Sequence, residues 1–144
     1  MRLILGLWLL ALSVASQAGV YTDDMAKCLV ASTSQKDKTD LVRWVFANAA
    51  LHPGVSSISS VTPAARDEMN RKQAALVERL LTQACRSETQ AAVRYEGPIA
   101  FQLSFQVLGQ VAMKELMSDK SVSSGFDAFV KYLDKAKLEA LGVK

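Results

Sequence analysis

The stretch CLVASTSQKDKTDLVRWVFANAALHP, Cys28 to Pro53, decides the fold. It holds one of only two cysteines, a helix-start signal and a helix that is apolar over most of its circumference. Ser34 with Asp37 three residues later has the form of a capping arrangement. Asp37 and Asp40 suit a helix N-terminus, where peptide dipoles leave partial positive charge. From about Lys36 to Leu51, Leu41, Val42, Trp44, Val45, Phe46, Ala49 and Leu51 cover well over half of the helix surface. Only Asp40, Arg43 and Ala47 form an outer strip, so this helix is expected to pack against several neighbours. Asn48 projects into the apolar arc and needs a hydrogen-bond partner there. That partner is either a backbone group of another helix or a bound ligand. Pro53 cannot continue the helix and biases His52 towards an extended conformation.

Upstream, Arg2 is followed by a mostly apolar run from Leu3 to Val14, too short to span a bilayer comfortably. Ser16-Gln17-Ala18 then places small residues at the two positions a signal peptidase reads. The pattern predicts a secretory signal peptide, residues 1–18, with scission after Ala18, and one helical domain over residues 19–144. No cysteine sits at the scission site, so a lipoprotein anchor is not expected. Residues 19–144 hold no further long apolar segment, so no integral membrane segment is expected after processing. Lys and Arg number 17 against 14 Asp and Glu, a net charge of +3. That near-balance argues against a nucleic-acid partner. Two cysteines in an exported chain suggest one disulfide, Cys28–Cys85.

Thr22 or Asp23 can cap a first short helix ending near Ala31, with Met25, Cys28 and Leu29 on one side. Thr62-Pro63 supplies a cap and a first-turn proline for a third helix reaching about Arg86. Its apolar stripe is Ala65, Met69, Leu76, Leu80 and Ala84, broadened by Val77 and Leu81. Lys72, Arg79 and Arg86 recur every seven residues, nearly in line. They form either a solvated face, with Glu68 placed to pair with Lys72, or a contact for an acidic partner or a membrane surface. Ser87 to Gln90 has the form of a capping box for a fourth helix.

From Ile99 the alternation of Phe101, Leu103, Phe105 and Val107 resembles a strand over a short window. The longer window to Met117 instead carries two helical stripes: Phe101, Phe105, Leu108, Ala112 and Leu116, and Leu103, Val107 and Val111. A helix is therefore expected, lying between two partners, with Gly109 allowing close helix approach. A last helix from Gly125, capped by Ser124, is expected to face Phe126, Phe129, Val130, Leu133 and Ala140 inward, with Asp127 and Lys131 paired and Gly142 as terminator.

The chemistry is sparse. His52 is the single histidine, and its place at a helix end is explained by the helix dipole. There is no zinc-type cluster, no Gly-x-Ser-x-Gly, no phosphate-cradling loop and no EF-hand loop. No cofactor, metal site or catalytic residue is predicted, and the chain is not expected to be an enzyme. Arg43, Asn48, His52, Lys72, Arg79 and Arg86 are the candidate binding residues. Met25, Met69, Met113 and Met117, with the aromatic residues, either fill the core or line a pocket for a small apolar ligand.

Cys28-Leu29-Val30, Asp37-Lys38-Thr39, Leu41-Val42-Arg43-Trp44 and His52-Pro53 resemble a family of small exported Gram-negative bacterial proteins of uncharacterised function. Gly97-Pro98-Ile99-Ala100-Phe101 and Leu108-Gly109 support the resemblance. It implies a periplasmic, helical, disulfide-bonded protein. The expectation is thus an all-α, compact single-domain bundle of four to six helices with one disulfide. Functionally, it is expected to be a periplasmic protein that binds another protein, as an inhibitor or immunity protein against a secreted toxic enzyme. The alternative is a small-molecule or lipid carrier with a cavity between helices.

Overall fold

The computed structural model describes residues 19–142. The predicted signal peptide lies outside the described residues. Among these, the chain is all-α, with eight α-helices and no strand. Five helices have eleven or more residues: α1 (Val20–Ala31), α2 (Gln35–Ala49), α4 (Pro63–Arg79), α5 (Arg86–Glu96) and α6 (Ile99–Met117). The short ones are α3 (Pro53–Ser56), α7 (Lys120–Asp127) and α8 (Lys135–Glu139). No helix of the described residues is long and apolar enough to cross a membrane.

Local signals place most of the ends. Ser34 and Asp37 form a reciprocal capping box at α2, and Thr62 accepts from Ala65 N–H at the start of α4, with Pro63 at the first position. Gly97 ends α5 at φ +80°, a conformation that favours glycine. Other starts differ from expectation. Neither Thr22 nor Asp23 caps α1. The cap is Gly19, which brings no side-chain bond, and Thr22 is buried inside the helix. Ser87 also lies inside its helix, because α5 begins at Arg86 after Cys85.

α6 is the centre of the molecule, packed against α1, α2 and α5, one partner more than its two stripes predicted, and Val107 of the second stripe stays exposed. Its fully buried face is Ala100, Ser104, Leu108 and Ala112, one residue per turn. Three of the four are small, which brings α1 close enough for Ser104 Oγ to donate to the Thr22 carbonyl at 3.0 Å. Met25, Leu29, Leu80 and Leu108 are the large side chains sealed from solvent, each worth about 1.5–3 kcal/mol of transfer free energy. Gly109 takes no part in close packing, since a Cβ there would meet open space.

The expected third helix is broken. Five residues, Leu80–Ala84, form a π-helical turn after α4, and Cys85 follows as the break before α5. The wider turn shifts the register, so Ala84 is exposed while Leu80 and Cys85 are buried. Cys28 of α1 and Cys85 form the disulfide, closing a sequence separation of 57. α1 is thereby tied to the break between α4 and α5.

The C-terminal part departs most from expectation. α7 starts at Lys120 under an Asp119 cap, a 3-10 turn follows over Ala128–Tyr132, and α8 closes the described chain. Phe126, Phe129, Val130, Leu133 and Ala140 do not face inward, and Phe129 is 59% exposed. Among the described residues, α7 packs substantially against only α6 and the 3-10 turn that follows it, which leaves its apolar side largely uncovered. Lys131 sits over the Tyr132 ring, 4.9 Å from its centroid, rather than on Asp127. Gly142 adopts φ +77° just past α8, the geometry of a helix terminator.

Candidate functional site

α2 decides the site. Its apolar arc is wider than its neighbours can cover. α4 and α6 take Leu41 and Ala47, both buried, with Ala47 at 0% exposure. Ala47 therefore does not belong to the outer strip. It lies where α4 crosses, and its carbonyl accepts from Arg66 Nε at 3.0 Å. Val45 and Phe46, on the neighbouring side, are left 43% and 56% exposed.

These residues form one wall of an apolar groove. Val42, Val45, Phe46 and Ala49 of α2 line it with Met69 of α4, Met113 and Leu116 of α6, and Val61 just before α4. The groove holds about 570 Å³ and is open to solvent. Arg43 is its only charged lining residue. A second depression continues from it, lined by Gln35, Lys38, Thr39, Glu115 and Asp119, and shares Val42, Arg43 and Leu116. The Lys38–Glu115 ion pair at 2.6 Å clamps α2 to α6 there. The hydrogen bond from Lys38 is the main influence on Glu115. With Gln35 and the Lys38 charge, it holds the carboxyl below the ordinary glutamate range against the opposing effect of burial.

Of the candidate binding residues, only Arg43 lies in the groove. It is exposed, with Nη1 3.8 Å from Asp40 on the same helix. Asn48 finds its partner locally, donating from Nδ2 to the Trp44 carbonyl of its own helix at 2.9 Å, so neither another helix nor a ligand is needed. His52 is the exposed cap of α3, its Nδ1 accepting from Gly54 N–H at 3.1 Å. It therefore starts α3, just beyond the end of α2 at Ala49.

Lys72, Arg79 and Arg86 do not act as a row. Lys72 pairs with Glu68 at 2.6 Å on the surface, as its spacing predicted. Arg79 turns inward, reaching Asp37 at 3.2 Å and the Ser32 carbonyl at 3.3 Å, and so ties α4 to the start of α2. Burial acts to raise the Asp37 carboxyl. The two Ser34 hydrogen bonds and the charges of Arg79 and Lys36 outweigh it and bring the group below its ordinary value. Arg86 lies beyond the π-helical turn, on α5. Cys28 and Cys85 are consumed by the disulfide.

The methionines divide. Met25 is core, while Met69 and Met113 line the groove. Val45 and Phe46 were the missed residues. Their signal was the excess width of the apolar arc, which exceeds what a helix with two neighbours can bury. Among the described residues, no group of three or more His, Cys, Asp or Glu side chains is placed to hold a metal ion.

In comparisons with known proteins, the chain matches no family model, no curated protein and no solved structure.

Proposed function

We propose that this is an exported binding protein whose docking element is the groove between α2, α4 and α6. The observation that carries the reading is the apolar wall of Val45, Phe46, Met69 and Met113, left open to solvent on three helices otherwise clamped by polar contacts. Flexible methionines beside an aromatic ring suit a groove that receives the apolar side of a partner helix. The resemblance to small exported bacterial proteins fits the same reading. Its specific form is an inhibitor or immunity protein that occupies a secreted toxic enzyme. The test is a pull-down from periplasmic extract at native abundance, run in parallel with Met113→Glu. A partner retained by the wild type and lost by the variant supports the reading. A partner held equally by both moves the interface elsewhere, and no reproducible partner refutes it.

One observation favours a second reading, that of a carrier. The groove volume falls in the range of small-ligand sites, which are roughly 300–1,000 Å³. Native mass spectrometry of the purified protein would then reveal a bound mass that Met113→Glu abolishes.

A further inference from the structure

The N-terminus of α1 is held from across the fold. Glu96, the last residue of α5, turns its carboxylate onto the first turn of α1. Oε1 accepts from Tyr21 N–H at 2.9 Å, Oε2 accepts from Thr22 N–H at 2.8 Å, and the Thr22 hydroxyl donates to Oε2 as well. Tyr21 and Tyr95 stack alongside, ring centroids 4.7 Å apart, and fix the approach of the two helices. This carboxylate does the capping that no side chain of α1 provides.

Glu96 also fills the space beside Gly19. A Cβ built on Gly19 would fall 2.7 Å from Oε2 and closer still to Oε1. No residue with a side chain fits at position 19 without displacing the carboxylate. A residue's own nitrogen lies about 2.5 Å from its Cβ position, so the Gly19 nitrogen is within about 5 Å of Oε2. Position 19 is also the residue that the small pair Ser16 and Ala18 predicts to become the first after scission.

We infer that Glu96 is the counter-ion of the processed amino terminus. Scission of the Ala18–Gly19 bond converts a neutral amide nitrogen into an ammonium group. An ammonium at a helix N-terminus meets the positive end of the peptide dipoles and is unfavourable there by itself. Glu96 supplies the opposite charge at that place, so the new terminus becomes an ion pair that joins α1 to α5. Removal of the leader then tightens the fold, and any side chain at position 19 would push the carboxylate out of this place.

The inference rests on the reading of residues 1–18 as a signal peptide, and the experiment separates the two. The full chain is exported with its own leader, purified from the periplasm and weighed intact. A mass beginning at Gly19 is expected, and any other start overturns the processing step. The purified protein is then compared with a form that retains Ala18, each with Glu96 and with Glu96→Gln. Glutamine keeps an acceptor for the Tyr21 and Thr22 N–H groups and removes the charge. Retention of Ala18 is expected to lower Tm by about 3–6 °C with Glu96 present and by less than about 1 °C in Glu96→Gln. Equal shifts in both backgrounds would overturn the ion pair even if scission falls after Ala18. If Glu96→Gln fails to fold, the two forms carrying Glu96 are compared again above about pH 9, where amino termini (ordinary value about 8) are uncharged: the Tm difference should then vanish, and its persistence would overturn the ion pair.

Discussion

Removal of the Cys28–Cys85 link is expected to cost a large part of the stability. The bond closes a separation of 57 residues. In the chain-entropy model a loop of that length removes about 14 cal/mol/K from the unfolded state, or about 4 kcal/mol at 25 °C. For a domain of about 125 residues the unfolding entropy near 60 °C is about 0.26 kcal/mol/K, so the loss corresponds to a Tm about 15 °C lower. Cys28→Ala and Cys85→Ala each remove the same link, so the double variant should fall close to either single one rather than at their sum. Cys85→Ala should be slightly the worse, because Cys85 is fully buried and Cys28 is not. Urea unfolding followed by far-ultraviolet circular dichroism measures all three. The slope against urea should rise as the unfolded chain expands without its cross-link. Additive losses in the double variant, or a Tm unmoved by reductant, would refute the reasoning.

Other outcomes follow from burial and charge. Leu108→Ala, at the sealed centre of α6, should lose about 2–5 kcal/mol, whereas Phe129→Ala on the open C-terminal segment should change stability by less than about 0.5 kcal/mol. Calorimetry of the two variants checks the contrast, and a large loss at Phe129 would mean that the segment packs in solution. In α2, Ala47→Leu should overpack the crossing with α4 and cost about 1–3 kcal/mol, while Phe46→Ser, in the groove wall, should cost less; chemical unfolding that ranks them the other way would return Ala47 to the surface. The pH response is also determined in sign. Glu96 is lowered first by the Thr22 hydrogen bond and Glu115 by that from Lys38, so both carboxylates bind protons less readily folded than unfolded. Their contribution is complete above the ordinary glutamate value of 4.5 and is lost as pH falls below it towards the depressed folded values. Tm measured from pH 7 downward (about 7 to 3, in steps) should fall through that window, and Glu96→Gln should flatten the fall.

What could be read from the chain was whatever is decided within a few residues or by counting. Ser34 with Asp37 and Thr62 with Pro63 start their helices because each cap reaches only three residues along the backbone. The single disulfide followed from there being two cysteines in a chain predicted to be exported. The all-α class followed from stripes sustained over many turns, which outlasted the brief alternation at Phe101 to Val107.

Other features waited for the tertiary structure. Periodicity locates a face but does not choose which part of a wide apolar arc will meet a neighbour. In α2 that choice buried Ala47 and left Val45 and Phe46 to form the groove. In the C-terminal segment the apolar positions follow the helical period, yet among the described residues they stay largely exposed. The cap of α1 comes from Glu96, more than seventy residues away, so no local pattern at Gly19 could announce it. The sequence by itself determined the helical class, the caps at Ser34 and Thr62, and the covalent tie. Only the tertiary structure decided which surfaces stay uncovered, because that depends on where the other helices run.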